Sequence, residues 1–240
     1  MRTALDSVLE QKSVDLDYIV VDGGSDDGTV ELLKEYEVKF AGRMRWISEK
    51  DSGMYDAINK GIKMATGDVV GILNADDMLE SPETLAKIAD AFADGVDAVY
   101  ADIRFVKEDL QTTVRYYGAK HWRPWMFQWG KMPPHPSVYI RRELFEKFGL
   151  YKLGYDIAAD YELLIRYLRV ARIKSRYLNE SIVRMRMGGK STRGWRSNLK
   201  LNQEIVRANR ENGYFCCLPM LLPKYLFKIF EFILPRLGFK

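Results

Sequence analysis

Three aspartates stand where two apolar runs end. "YIVVDGGSDDGT" (18–29) passes from Ile19, Val20 and Val21 to Asp22, and "DVVGILNADD" (68–77) ends on Asp76 and Asp77. In open α/β sheets ligands sit beyond the carboxyl ends of the strands. If these two strands are parallel neighbours, their carboxylates meet in one crevice. Such a cluster repels itself unless cations or hydrogen-bond donors neutralise it. A hard divalent cation bridging to phosphates would do so, and so would the ribose hydroxyls and base N–H groups of a nucleotide. Aspartates also follow strands simply to shape turns and cap helices, and Asp26 and Asp27 suit that role. Asp76 and Asp77 do not, because Ser81 and Pro82 already supply the start of the next helix.

The elements that must position these residues alternate. Thr3–Glu10, Thr29–Tyr36, Met54–Ala65 and the stretch from Ser81 to Gly95 have helical spacing, and 18–22, 44–48, 68–77 and 97–106 have strand character. This β-α-β-α rhythm predicts an α/β fold with a mostly parallel, Rossmann-like sheet and helices on both faces. Beyond residue 106 the pattern loosens. "HWRPWMFQWGKMPPHPS" is aromatic and proline-rich, "RRELFEKFG" and "DYELLIRYLR" read as helices, and "RMRMGGKSTRG" is a basic, glycine-broken loop. Ser197–Glu211 is a long polar helix.

The chain has 240 residues, 47% hydrophobic and 29% charged, which is a globular composition with room for one substantial core. Its net charge is +4 and its pI about 8.9, suited to an anionic ligand or membrane surface. The two cysteines, Cys216 and Cys217, are adjacent, a spacing that disfavours a disulfide and points to a reducing compartment. "MRTALDSVLEQ" has no apolar run of the kind a secretory leader carries, and no window offers the roughly 20 apolar residues of a spanning helix.

"IVVDGGSDDGT", "ATGDVVGILNADD" and "AADYELLIRYL", in this order and spacing, resemble the family 2 glycosyltransferases, inverting enzymes of the GT-A fold. "SEKDSGMYDAINKGIKMATGD" resembles a bacterial subgroup that builds surface polysaccharides. The resemblance implies a nucleotide-sugar donor, most simply a UDP-sugar, a glycan or lipid-linked acceptor, and Mg2+ or Mn2+. It implies that Asp22 meets the base, that Asp76 lies near the ribose and that Asp77 ligates the metal. It also puts Asp51 and Lys60 on the donor side. "AADYELL" takes the place of the family's acidic pair; its first member is Ala159 here, so Asp160 is implied as the base that deprotonates the acceptor. Glu162 is structural or a fallback base. His135 in "HPSVYIRR" is implied to face the acceptor, and Gly189 and Lys190, in "GGKS", a lid. Arg184 and Arg193 are further cations that could pair with a diphosphate. Trp122, Trp125, Phe127 and Trp129 either stack on sugar or form core.

Two departures from the family pattern stand out. The chain opens on what resembles the helix after the family's first strand. That strand is therefore expected to be missing, which would expose the flank of the 18–22 strand and weaken nucleotide binding. The helix after "SEKDSG" has Ala57, Ile58 and Asn59 where relatives carry an arginine. The expected division is a transferase domain over 1–195, with a nucleotide-sugar half (1–103) and an acceptor half (104–195), and a helical membrane-associating tail over 196–240. In that tail Lys224, Lys228 and Glu231 fall on one narrow stripe of an otherwise apolar helix. A peripheral protein on the inner face of the plasma membrane, with no nucleic-acid partner, is the expectation. A nucleotide-sugar-binding protein without activity and a nucleotidyltransferase are the alternatives.

Overall fold

The computed structural model describes residues 1–186 and 194–225. In the first half it has the expected order: α1 (Arg2–Leu9), β1 (Tyr18–Asp22), α2 (Thr29–Phe40), β2 (Met44–Ser48), α3 (Met54–Met64) and β3 (Val69–Gly71). Then come β4 (Met78–Leu79), α4 (Thr84–Ala91) and β5 (Ala98–Val106). The second half contains β6 (Thr113–Tyr117), β7 (Tyr139–Arg141), α5 (Glu143–Phe148), α6 (Ala159–Ile165), β8 (Ser175–Arg186) and α7 (Gly194–Glu211). Short 3-10 turns cover Pro124–Trp129 and Leu218–Leu221, and α6 runs on into a π-helical turn at Arg166–Val170.

The sheet expected to be mostly parallel is mixed. β1 and β2 form a parallel pair of their own. The other strands take the order β3-β7-β5-β8-β4, with β6 on β5. There only β5 and β8 are parallel; the β3/β7, β4/β8, β5/β6 and β5/β7 pairings are antiparallel. For the β5/β6 pair the cause is connection length. A parallel return needs roughly a dozen residues or more, and six link β5 to β6. Among the described residues β1 pairs only with β2 and β3 only with β7, so one flank of the 18–22 strand has no strand partner there, although none of its residues is fully exposed. The alternation set by Tyr18 N–H on Arg43 O and Glu49 N–H on Asp22 O turns the main-chain groups of Ile19 and Val21 to that flank.

Two cores lie on the two faces of β5. Val99, Ala101 and Ile103 join Leu5, Leu33, Tyr36, Phe40 and Ile182 on the α1/α2 side. Ala98 and Tyr100 join Trp122, Phe127, Leu163, Leu164 and Tyr167 on the α6 side. Ile205, Val206, Ala208, Cys216 and Leu221 belong to this second core, so the boundary drawn at 195/196 is not a packing boundary. α7 is a wall of the acceptor half rather than part of a separate tail. Lys224 Nζ donates to Asn202 Oδ1 (2.6 Å) and Asn202 Nδ2 to Tyr225 Oη (2.8 Å), tying the chain end at 224–225 to α7. Residues 226–240, with Lys228 and Glu231, lie outside the described residues. Among the described residues no helix is long and apolar enough to cross a membrane.

Gly71 shows how closely β3 and β7 approach. A Cβ there would lie 2.1 Å from the ring of buried Tyr139, so any side chain would displace that ring.

Candidate active site

The first cluster of expected site residues is assembled on the turn after β1. Asp22 is buried and accepts four hydrogen bonds: from the amides of Gly24 (3.1 Å) and Ser25 (2.9 Å), from Ser25 Oγ (2.5 Å) and from Ser48 Oγ at the end of β2 (2.6 Å). Burial opposes its ionisation, but these donors outweigh it and hold the carboxyl below the usual range. Asp22 therefore anchors the turn, and only Oδ1 has capacity to spare. Asp51 closes over the same turn. Its Oδ2 lies 2.7 Å from where a Cβ on Gly23 would be, and its Oδ1 takes the Gly53 N–H (2.8 Å). Asp27 accepts from Thr29 N (3.2 Å) and Oγ1 (2.6 Å), shaping the start of α2 as expected. Lys60 reaches back from α3 to Glu49 (2.7 Å) and the Lys50 carbonyl (3.0 Å), so it ties down the strand-to-helix loop.

The segment after β3 carries the second acid group. Asp77 is 2% exposed, while Asp76 is exposed to solvent. Asn74 Nδ2 donates to Asp77 Oδ2 (2.8 Å), and the Asp77 N–H donates to Asn74 O (3.1 Å). Burial pushes the Asp77 carboxyl up to about 6, against Asn74 and with help from the charge of Asp76. The cation beside it is Arg186, whose main chain and charge both favour ionised Asp77. Sequence reasoning named Arg184 instead. In the structure Arg184 is consumed by Glu80 (Nε to Oε1, 2.9 Å), which also takes Arg104 in a two-point bond of 2.6 and 2.8 Å. The register decides between them. Met78 pairs with Arg184 in an antiparallel ladder, so continuing that ladder carries Arg186 towards Asp76 and Asp77. Arg186 Nε is buried without a partner among the described residues.

A further cluster is centred on Asp160 in the first turn of α6. Its Oδ1 takes the Tyr161 N–H (2.7 Å) and lies 3.4 Å from Tyr55 Oη, whose proton is shared with the closer Ile157 carbonyl (2.5 Å). Burial raises its pKa, offset in part by the neighbouring His135 and these hydrogen bonds. His135 Nε2 and Tyr151 Oη share a hydrogen bond of 2.7 Å, and burial pushes the His135 imidazole down, toward neutrality. Tyr55 stacks on Tyr151 with ring centroids 5.8 Å apart, and Asn59 exchanges two hydrogen bonds with the Tyr151 main chain. α3 is thus the link between halves. Its buried face is Tyr55, Asn59 and Ile62, whereas Met54, expected on that face, is 55% exposed. Asp51 lies in the loop that leads into α3, and Tyr55, in the first turn of that helix, faces Asp160.

Glu162 is fully buried and held by Arg166 (2.8 Å), Lys152 (2.9 Å) and Asn212 (3.3 Å). Despite burial, these cations keep it below the usual range. It is structural. Through it Arg166 grips the carbonyls of Gly149 and Leu150, which deliver Tyr151. Gly189, Lys190 and Arg193 lie outside the described residues. Trp122 and Phe127 are core, while Trp125 and Trp129 are exposed.

Two buried carboxylates went unnoticed in the sequence. Asp102 sits at a bulge in β5 and accepts from Tyr116 Oη (2.7 Å), Tyr177 Oη (2.8 Å) and the Ala119 amide (2.6 Å). Glu204 of α7 accepts the amides of Asp156, Ile157 and Ala158, each at 2.9 Å, in the approach to α6. It fixes the backbone two residues ahead of Asp160. Glu204→Ala leaves three buried or half-buried amides unpaired and is expected to lower stability by about 3 kcal/mol, read as a lower denaturant midpoint. Turnover should also fall at temperatures where the variant is still folded; an unchanged midpoint would reject this role.

Comparison with known proteins comes to the same place. Residues 1–149 match the family model described as "Glycosyl transferase family 2". A "PGL/p-HBAD biosynthesis glycosyltransferase" of Mycobacterium tuberculosis is 33% identical over 178 residues, covering 73% of this chain and 67% of that protein. Among solved structures, a mannosyltransferase from Pyrobaculum calidifontis in complex with GDP-Man and Mn2+ superposes with a TM-score of 0.64 at 20% identity, over 88% of this chain and 59% of that one. S. aureus TarS in complex with UDP-GlcNAc gives 0.59 at 15% identity, over 85% and 61%. The chain therefore spans about three fifths of each of those two solved chains. At these identities the structural matches speak to the fold, a GT-A glycosyltransferase architecture.

Proposed function

The chain belongs to glycosyl transferase family 2, and on that footing we propose that it is an inverting transferase. It moves a sugar from a nucleotide-diphosphate donor to a hydroxyl of a glycan or lipid-linked acceptor in surface-glycan synthesis. One observation carries the reading: a partly buried carboxylate of raised pKa, Asp160, stands at the start of α6 against Tyr55 of α3 and beside His135. Direct inversion needs one base on the acceptor side. Asp160 takes the proton of the acceptor hydroxyl, and that oxygen forms a bond to the anomeric carbon. The bond from that carbon to the diphosphate oxygen breaks, and the pair of electrons leaves with the nucleoside diphosphate. Tyr55 steadies the ionised form of Asp160, and Arg186 supplies positive charge on the leaving-group side.

Among the described residues no three His, Cys, Asp or Glu side chains converge as a metal site. One buried carboxylate, Asp77, and one exposed one, Asp76, do offer hard oxygen donors. This fits a Mg2+ or Mn2+ whose remaining ligands are diphosphate oxygens and water. Held there, the ion would neutralise charge on the leaving diphosphate.

UDP- and GDP-sugars tested by thermal shift with Mn2+ decide donor binding. A donor at 100 times its Kd should stabilise the fold by about 2.7 kcal/mol. A shift that needs both nucleotide-sugar and metal, followed by release of nucleoside diphosphate on adding acceptor, supports the transferase. Binding without release would favour the binding-protein alternative, and no shift with any donor would reject both.

A further inference from the structure

The 3-10 turn at Pro124–Trp129 and the chain at 214–222 meet on the outer side of the acceptor half. Gln128 Nε2 donates to the Phe215 carbonyl (2.9 Å), and Cys216 Sγ lies 3.4 Å from the Gln128 carbonyl. Gly130 abuts Leu221 and Lys224. On this joint surface Trp125 is 54% exposed, Trp129 41%, Phe215 71%, Leu218 45% and Leu222 64%. The exposure follows from the turn itself. With three residues per turn and Phe127 pointing into the core, Trp125 and Trp129 project about 60° to either side of the outward direction. No hydrophobic core requires two tryptophans placed there.

The charge in the two stretches that carry them has one sign. Residues 118–137 contain Lys120, Arg123 and Lys131 and no Asp or Glu; residues 212–225 contain Lys224 and no acid. Arg169 is wedged beneath the patch. It lies 3.8 Å from the centre of the Tyr214 ring and donates to Gln128 Oε1 (2.8 Å) and the Trp125 carbonyl (3.3 Å). Among the described residues, Glu211 lies beside Leu218 and is committed to Lys152 and Arg207. Amphipathic aromatic side chains in a surround where cations outnumber acids match the interface of an anionic bilayer, where indole rings sit at headgroup depth and lysines and arginines meet lipid phosphates.

We propose that this face of the folded acceptor half docks on an anionic lipid surface through Trp125, Trp129, Phe215, Leu218 and Leu222. Phe127 on the same turn packs edge-on against Tyr161, next to Asp160, with ring centroids 5.3 Å apart. Docking therefore brings the base close to the plane in which a lipid-linked acceptor is presented, and in this the inference rests on the transferase reading.

The test is vesicle partition of the full chain without donor or acceptor, so its outcome is independent of activity. Wild type should float with vesicles containing about one third phosphatidylglycerol, and far less with phosphatidylcholine alone. Trp125→Ser combined with Trp129→Ser and Phe215→Ser should lower partition at least tenfold at a temperature well below the variant's own thermal midpoint, since the two tryptophans are about half covered. Vesicles brominated in the acyl chains should quench wild-type tryptophan emission, and less so in Trp125→Phe and Trp129→Phe. Equal partition of wild type and the triple variant would overturn the proposal, as would equal wild-type partition onto the two kinds of vesicle.

Discussion

Asp160→Asn is expected to lower turnover by about 1,000-fold, within the range of 10²–10⁴ associated with a positioned general base, while leaving the donor-induced thermal shift intact. The separation follows from geometry. Asp160 belongs to the His135, Tyr55 and Tyr151 cluster, and the donor-side acids Asp22, Asp51 and Asp77 do not depend on it for a hydrogen bond. No neighbour can substitute. Glu162 is two residues away but fully buried and neutralised by Arg166 and Lys152. The pH profile supplies a second readout. The base works only when ionised, and burial raises its pKa, so kcat should climb with pH through a value above the ordinary carboxylate range and then level off. Tyr55→Phe removes a donor to the ionised form and should move that rise to higher pH. Asp160→Asn retaining a tenth of wild-type turnover would exclude the base role.

Asp77→Asn is expected to abolish the part of donor binding that requires Mn2+, and at the same time to stabilise the ligand-free protein. The second effect comes from linkage. The folded-state pKa of about 6 stands above the usual 3.8, so the fold holds this proton more tightly than the unfolded chain does. The associated stability is fully present below about pH 4 and is lost as pH rises through about 6. Above that, the penalty is about 3 kcal/mol at 1.36 kcal/mol per pH unit. Asparagine removes the buried charge, and at pH 7.5 the melting temperature should rise by several degrees, at roughly 2–4 °C per kcal/mol for a chain of this size. Adding Mn2+ and donor should raise it for wild type and not for the variant. A variant that melts lower than wild type without ligand, or that keeps the metal-dependent shift, would remove Asp77 from the metal's side of the site.

Much of the site was legible in the chain. Apolar runs ending in acid mark strands that open on a site, because a buried strand needs uninterrupted Val and Ile, and a ligand needs polar groups at the strand's end. "YIVVD" placed Asp22 at the end of β1 and "NADD" placed Asp77 in the segment after β3, Asp160 was singled out only by the resemblance of "AADYELL" to the family's acidic pair, and helical spacing located α1, α2, α3 and α7. Local pattern could not supply partnership. β8 reads as polar, "SRYLNESIVRMR", and becomes a central strand because β5 and β4 pair with its two edges. Arg184 and Arg186 are equivalent in sequence, yet Glu80 neutralises one and the antiparallel register carries the other to Asp77. Asp102 and Glu204 look like surface acids and are buried, because their donors arrive from segments 14 to 75 and 46 to 48 residues away. Glu162 loses any claim to act as a base for the same reason. Residue type and spacing determined which chemistry this protein carries. The tertiary structure alone decided which carboxylates are neutralised and which are left to react, since a charge's pKa depends on what the fold brings within a few ångströms of it.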